Sequence, residues 1–490
     1  MIRNGKDISS GTVVSTQVCI IGSGPAGVTA AWWLQKQGIK VTLIEGSRDY
    51  GQYWKASWPD KVLLYNGVAD GLFATNEPEF LILPYDGHLS PAWERERVFG
   101  GTSAHWGGQS RPLDPISFKK RPGFPGWPIN RGDLDPFYAE AAKFCLLHGD
   151  NFGAEYWAGV FNDKAPDSAK VPHLEGFDAE MYQFIGQSYL NFATRTFDGI
   201  TIGQSPVDVI LNASLLDIDH SRGFVGGLSV ASMDGQSPPK KATEFTVKAD
   251  VYVLACGAVA NARQLLLSDA GNEHDQVGRY FMCHPLSTSP VVTIEQDYLS
   301  PAESNLMNGG NGWTDANGVR VTGRFSPNAE QQEKLGIGSC WFWAGGGQYY
   351  FEMAPNPDSR VRLADTLDPV FGQRQTWITW ELTPLDQKTY EQTTQLFNTA
   401  VTSLGGGVSF DSWESVKSQL VDNGHHIGTT RMSSKPEEGV VDANLKVHSF
   451  HNLYVAGSSV FPTTGISNPT FTIITLSIRL AEYLGRTLSS

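Results

Sequence analysis

Cysteine is scarce in this chain of 490 residues, with only 5 present. They stand far apart at Cys19, Cys145, Cys256, Cys283 and Cys340, with no CxxC pair. An odd, scattered set argues against a disulfide framework and suits a reducing compartment. No cluster has metal-ligand spacing. Basic residues are also few, 37 against 51 acidic ones, for a net charge of −14. That balance argues against a nucleic-acid or anionic-membrane partner, because both need a basic face. Unbroken hydrophobic runs are missing too. The uncharged stretches Ile8–Gln35 and Val447–Ile478 are interrupted by Gly22, Gly24, Pro25 and Gly27, and by Gly457, Pro462, Gly465 and Pro469. Soluble strand-turn-helix units are therefore expected rather than membrane spans. Met1–Thr12 is polar and of mixed charge, so no targeting segment and a cytoplasmic location are expected. There is no short-period repeat.

Glycine and aromatic residues, in contrast, are plentiful: 52 glycines, and 11% aromatics that include 14 tryptophans. Glycine at this level implies many tight turns or close backbone approaches. With 40% hydrophobic residues the chain is globular, and its length allows two or three domains at roughly 150 residues each.

Near the start, the apolar run Gln17–Ile21 leads into Gly22-Ser23-Gly24-Pro25-Ala26-Gly27 and then a helical stretch through Leu34. Lys40–Glu45 reads as a second strand ending in an acid. This is GxGxxG in a βαβ unit of about 30 residues, with the acid about 20 residues on. Gly22 permits the tight turn, Gly24 the approach of a pyrophosphate, and Gly27 close packing of helix on strand. The helix start supplies N–H groups and positive dipole for the phosphates, and Glu45 can accept from ribose hydroxyls. FAD and NAD fit this unit equally well.

A second glycine-rich segment, Val98–Gly108, carries Gly101, Thr102, Ser103, His105, Trp106 and Gly107 and can lie flat against a planar ring system. The alternative is a structural loop with a satisfied histidine. Lys248–Leu267 reads as a strand, a turn at Gly257 and a helix, with Ala255 at the strand end. His284-Pro285 reads as a packed turn at a domain crossover. From about Phe281 to Val421, Trp341-Phe342-Trp343, Tyr349-Tyr350-Phe351 and Trp377–Leu382 suggest one antiparallel sheet, one face buried and the other on a cavity. A helix from Thr383 through Leu396 would cover it. Arg95–Phe184, rich in proline and aromatics, reads as loops and helices.

At the C-terminal end, His425-His426-Ile427-Gly428-Thr429-Thr430-Arg431-Met432 is followed by the strand Leu453–Val455, the Gly457-Ser458 turn, and Ser467-Asn468-Pro469-Thr470 opening a long apolar helix. Asn before Pro is also a favourable helix N-cap.

Together these segments resemble the glucose-methanol-choline (GMC) family of FAD oxidoreductases, and the Ser103-Ala104-His105-Trp106 stretch is similar to that of pyranose oxidases. The resemblance implies an α/β fold: a Rossmann-like FAD-binding domain from residues 1–115, 196–285 and 422–490, and a substrate domain from 116–195 and 286–421 with an antiparallel sheet backed by helices. It implies FAD bound along Gly22, Gly24, Pro25, Ala26, Gly27, Glu45, the Gly101–Gly107 loop, Leu215, Ala255, Gly257, Gly457, Ser458 and Thr470. His105 would be a cofactor contact, with non-covalent binding expected over covalent attachment because Ala104 replaces the threonine of the pyranose-oxidase motif. The HxxGTxRM pattern places the active-site histidine at His425, with Asn468 as its partner. The implied reaction is oxidation of an alcohol, foremost a sugar or glycoside hydroxyl, to a carbonyl by hydride transfer to flavin N5. A neutral imidazole takes the hydroxyl proton. Oxygen, a quinone or a redox protein would accept the electrons. The alternatives are a lyase-type enzyme on the same scaffold and an NADPH-dependent flavin monooxygenase.

Overall fold

The computed structural model describes residues 1–47, 82–84, 97–104, 106–186, 190–234, 236, 240–308 and 312–489. Its largest sheet is built on the first strand, Val13–Ile21, which becomes fully buried from Val18 onward. That strand pairs in parallel with Val41–Ile44 on one side and with Lys241–Leu254 on the other. Asp208–Leu211 and then Ile2–Asn4 extend the sheet beyond Val41–Ile44. The long strand Lys241–Leu254 has two partners along its outer edge. Its first half pairs antiparallel with Phe224–Met233, and its last residues pair in parallel with Leu453–Val455. Runs rich in Val, Ile and Leu suit such strands, because helices and loops cover both faces.

Helix Pro25–Lys36 packs on the C-terminal helix Pro469–Ser489, bringing the two ends of the chain together. The carboxyl ends of four parallel strands, at Ile21, Ile44, Leu254 and Val455, point the same way. In an open α/β sheet this is the edge at which ligands bind.

The aromatic segments divide differently from the expectation of one sheet. Cys340–Trp341 and Tyr350–Phe351 pair with each other in a small sheet completed by Leu286–Ser287 and Leu420–Val421. Arg374–Thr379, which holds Trp377, belongs to another sheet with Arg360–Leu367 and Ile82–Pro84. The alternation within the first pair follows the strand period of two. Phe342 and Tyr349 enter a core against the helix Pro384–Ser403, where Phe342 stacks on Phe397 at 4.2 Å. Trp341 and Tyr350 face the opposite way.

A strand that hydrophobic patterning hides, Phe177–Phe184, pairs along its whole length with Arg320–Pro327. Its inward positions include Glu180 and Gln183, polar residues buried with hydrogen-bond partners, so the apolar alternation is lost. Among the described residues no helix is long and apolar enough to cross a membrane.

Candidate active site

A cavity of about 610 Å³ runs along the carboxyl edge of the main sheet and continues beneath the aromatic strand pair. Its first wall is the GxGxxG turn. Gly22 sits at φ +103°, and a Cβ there would stand 2.5 Å from the Ala255 carbonyl oxygen. A Cβ on Gly27 would collide with the Gly22 carbonyl, so Gly27 packs helix on strand and lies behind the wall. Gly24 differs: a Cβ there would meet no protein atom within 4 Å, because it faces the open cavity.

Glu45 is buried with both oxygens engaged. One accepts from the Ser23 amide at 3.0 Å and the Ser23 hydroxyl at 2.6 Å; the other accepts from the Ser47 amide at 2.9 Å. Ser23 Oγ in turn accepts from the Gly100 amide at 3.0 Å. The acid therefore ties the turn to the second glycine-rich loop while still lining the cavity beside Ala213, Ser214 and Leu215. Arg97, which no sequence motif marks, lines the same end and donates to Ser214 Oγ at 2.5 Å.

Gly101, Thr102, Trp106 and Gly107 form the next wall, opposite Ala255, Gly257, Gly457 and Ser458. Ser103 does not reach the cavity; its hydroxyl donates to the Gly100 carbonyl at 2.6 Å and accepts from the Phe192 amide. His105 lies outside the described residues. Pro25, Ala26 and Thr470 complete the lining near the two helix starts.

At the far end stands His425. Its Nε2 lies 3.3 Å from Asn468 Nδ2. Its Nδ1 lies 2.7 Å from the Tyr350 hydroxyl and 3.0 Å from Nδ1 of His284. His284, expected only as a packed turn, is fully buried and reaches the Gly465 carbonyl through Nε2 at 2.9 Å. No signal in the sequence links it to His425, since the contact closes 141 residues of chain. The segment carrying Asn468 is braced on both sides: Glu352 accepts from the Gly465 amide, and Arg111 donates to Ser467 Oγ at 3.2 Å. Asn468 precedes Pro469 at the helix start, yet its side-chain oxygen is buried without a partner among the described residues, so it does not cap the helix. Gln109 Nε2 and Gln264 Oε1 are likewise buried without partners on the cavity lining. Trp341, Trp343, Gln348 and Tyr350 roof this end, with Trp341 stacked on Tyr350 at 4.1 Å.

Residues 355–477 match the GMC oxidoreductase profile, and residues 15–62 match that of an FAD binding domain. The chain is 21% identical to the fructose dehydrogenase large subunit of Gluconobacter japonicus, over 96% of this chain and 98% of that one. It is 27% identical to paromamine 6'-oxidase of Streptomyces fradiae, over 96% and 92% of the two chains. Its fold overlays that of pyridoxine 4-oxidase from Mesorbium loti with a TM-score of 0.58 and 16% identity, covering 96% of this chain and 99% of that one. The chain thus carries a GMC oxidoreductase C-terminal domain and is similar to such enzymes along nearly its whole length.

FAD is the cofactor, and the residues of the cavity fit that group. An extended cavity starts at an open Gly24 and a helix N-terminus, passes glycine-bearing loops on both sides, and ends at a histidine. Three buried polar atoms on its lining, on Gln109, Gln264 and Asn468, await partners.

Electrostatics at the histidine end favour neutral rings. Burial holds His425 well below the ordinary imidazole range, helped by the neighbouring His284 and His426 rings and opposed by Asp422. Burial also lowers His284 to about 4, against the opposing pull of the Gly465 and Thr464 carbonyls. The unfolded chain binds a proton at each ring that the folded protein excludes, so acidification below about pH 6.5 favours unfolding. Glu180 and Asp386, raised by burial to about 8 and about 6, act in the opposite sense. The His284 contribution is therefore read as a difference between two proteins. Between pH 7 and 4, the wild type should lose about 3 kcal/mol more stability than His284→Asn, measured by urea unfolding of the apoproteins.

Proposed function

We propose that this protein oxidises an alcohol, most fittingly a sugar or glycoside hydroxyl, to the carbonyl, with His425 as base and Asn468 as its partner. The observation that carries the reading is the bare end of the cavity, where His425 Nε2 and the Asn468 amide stand 3.3 Å apart under an aromatic roof. When bound, FAD supplies the hydride acceptor for the carbon–hydrogen bond. His425 Nε2 takes the hydroxyl proton, and its depressed basicity keeps it unprotonated at neutral pH. The Asn468 NH2 donates to the substrate oxygen as negative charge grows there, and cannot compete for the proton. Its unpartnered Oδ1 is free to accept from a neighbouring hydroxyl. Trp341 and Trp343 offer flat apolar surface to a sugar ring, beside the polar groups of Gln109 and Gln348.

Residues 286–421 supply most of this roof, which supports assigning them to a substrate domain. Relatives whose names give fructose and paromamine as their substrates support a polyhydroxylated donor. Five cysteines with no disulfide among the described residues suit a cytoplasmic setting, with oxygen, a quinone or a redox protein as the electron acceptor.

Anaerobic titration of the holoenzyme with sugars, glycosides, polyols and simple alcohols tests the proposal. Bleaching of the oxidised flavin band by a sugar or glycoside is the expected result. Failure of the whole panel to bleach it would leave the lyase-type alternative, and bleaching by NADPH alone would revive the monooxygenase reading.

A further inference from the structure

The contacts around His284 and His425 bear on which ring nitrogen carries each proton, and one of them runs in a single direction. His284 Nε2 faces the Gly465 carbonyl at 2.9 Å, and a carbonyl only accepts, so Nε2 carries the hydrogen. In a neutral ring that leaves His284 Nδ1 as a lone pair. This lone pair lies 3.0 Å from His425 Nδ1, so the attractive arrangement puts the hydrogen of His425 on Nδ1. The Tyr350 oxygen, 2.7 Å from the same atom, can share that hydrogen as a second acceptor. On the other side of the ring, Nε2 is then a bare lone pair facing the Asn468 NH2 at 3.3 Å. The opposite tautomer would let Nδ1 accept from the Tyr350 hydroxyl, but it is disfavoured on two other sides. It sets two ring lone pairs against each other at 3.0 Å, and points an N–H at the Asn468 NH2. Burial of both histidines removes the doubly protonated alternative.

We propose that His284 is the positioning residue that holds His425 in its Nδ1–H tautomer, with Nε2 turned bare toward the cavity. His284 touches neither cavity nor substrate; it is absent from the cavity lining and acts through His425. The geometry also explains why the ring is tied to a carbonyl. The Gly465 carbonyl fixes the His284 tautomer, and His284 then fixes that of His425. Because Gly465 lies in the braced segment that carries Asn468, both partners of the substrate oxygen are set from one stretch of chain. The catalytic consequence rests on the reading of His425 as the base; the tautomer itself does not.

The test uses holoenzyme labelled with 15N at histidine. The His425 ring, assigned by comparison with His425→Gln, should show a protonated Nδ1 and an unprotonated Nε2 at pH 7.5. His284 should show the reverse. A His425 protonated at Nε2 would overturn the proposal whether or not any alcohol reduces the flavin. Two variants carry the test into kinetics. His284→Leu removes the acceptor, and His284→Asn returns an amide oxygen close to the position of Nδ1. With FAD content and melting temperature matched to wild type, His284→Leu should slow flavin reduction about 10- to 100-fold with little change in KM. His284→Asn should recover part of that loss and restore the Nδ1–H signature. Equal rates and an unchanged His425 signature in the Leu variant would refute a positioning role. If no alcohol reduces the wild-type flavin, the function proposed above fails, while the 15N spectrum still decides the tautomer.

Discussion

His425→Ala holoenzyme should keep its flavin absorbance while its reduction by alcohol slows about 10²- to 10⁴-fold, the usual worth of a positioned general base. The expectation follows from where the ring sits. Its Nε2 is at the cavity end of the described structure, opposite the amide of Asn468, and its other nitrogen is engaged by Tyr350 and His284. A histidine serving only the fold would alter melting temperature and FAD content and leave the reduction rate per bound flavin intact. Rapid-mixing measurement of the flavin band under anaerobic conditions separates the two outcomes. The pH profile adds a second reading. Burial lowers the basicity of His425, so the ring is already neutral near pH 6.5, and the acid limb of kcat/KM should fall below that value. An acid limb at or above pH 7 would contradict the assignment of His425 as the base. His426 is a suitable comparison because its ring is held by Asp422 at 3.0 Å rather than by Asn468.

The second large effect separates two glycines that look alike in the motif. Gly24→Ala should leave apoprotein stability within about 0.5 kcal/mol of wild type, because its Cβ meets no protein atom within 4 Å and its backbone is extended. The same methyl group projects into the cavity where the proposed pyrophosphate path begins, so FAD affinity should fall about 100-fold. Gly27→Ala should behave in the reverse order. Its Cβ meets the Gly22 carbonyl, a backbone atom that cannot rotate away, and the apoprotein should lose about 3 kcal/mol. Urea unfolding of the apoproteins and fluorescence titration with FAD give the two quantities independently. Similar losses of stability in both variants would show that Gly24 is a packing residue and not an opening for the cofactor.

Much of the cofactor cavity is legible in the amino-acid sequence. Gly22, Gly24, Glu45, Gly257 and Gly457 lie at strand ends, and a strand followed by glycine and then a helix is a local pattern that neighbouring residues specify. Ser103 marks where such patterns stop being informative. It stands in the right loop, yet its hydroxyl turns inward to the Gly100 carbonyl, a choice of rotamer that no motif encodes. Arg97 and Gln109 go unmarked because a single polar residue in a loop has no periodicity to distinguish it. The aromatic segments Cys340–Trp341, Tyr350–Phe351 and Arg374–Thr379 are strands, as their alternation suggests, but they do not share one sheet. Strand pairing depends on which edges the folded chain leaves free, and Arg374–Thr379 found its partner in Arg360–Leu367.

The amino-acid sequence by itself determined the α/β architecture and a dinucleotide-binding turn, and its resemblance to the GMC family supplied FAD and the pairing of His425 with Asn468 as candidates. The architecture and the turn rest on short-range patterns: glycine where a backbone must approach, β-branched runs where a strand is buried, proline at a helix start. Tertiary structure decided which atoms of those residues face the cavity and which groups each ring nitrogen meets. His284 reaches His425 across 141 residues and Tyr350 reaches it across 75, distances over which composition and spacing carry no information. A tautomer is set by the acceptors within about 3 Å of a ring nitrogen, and only the folded chain brings those acceptors there.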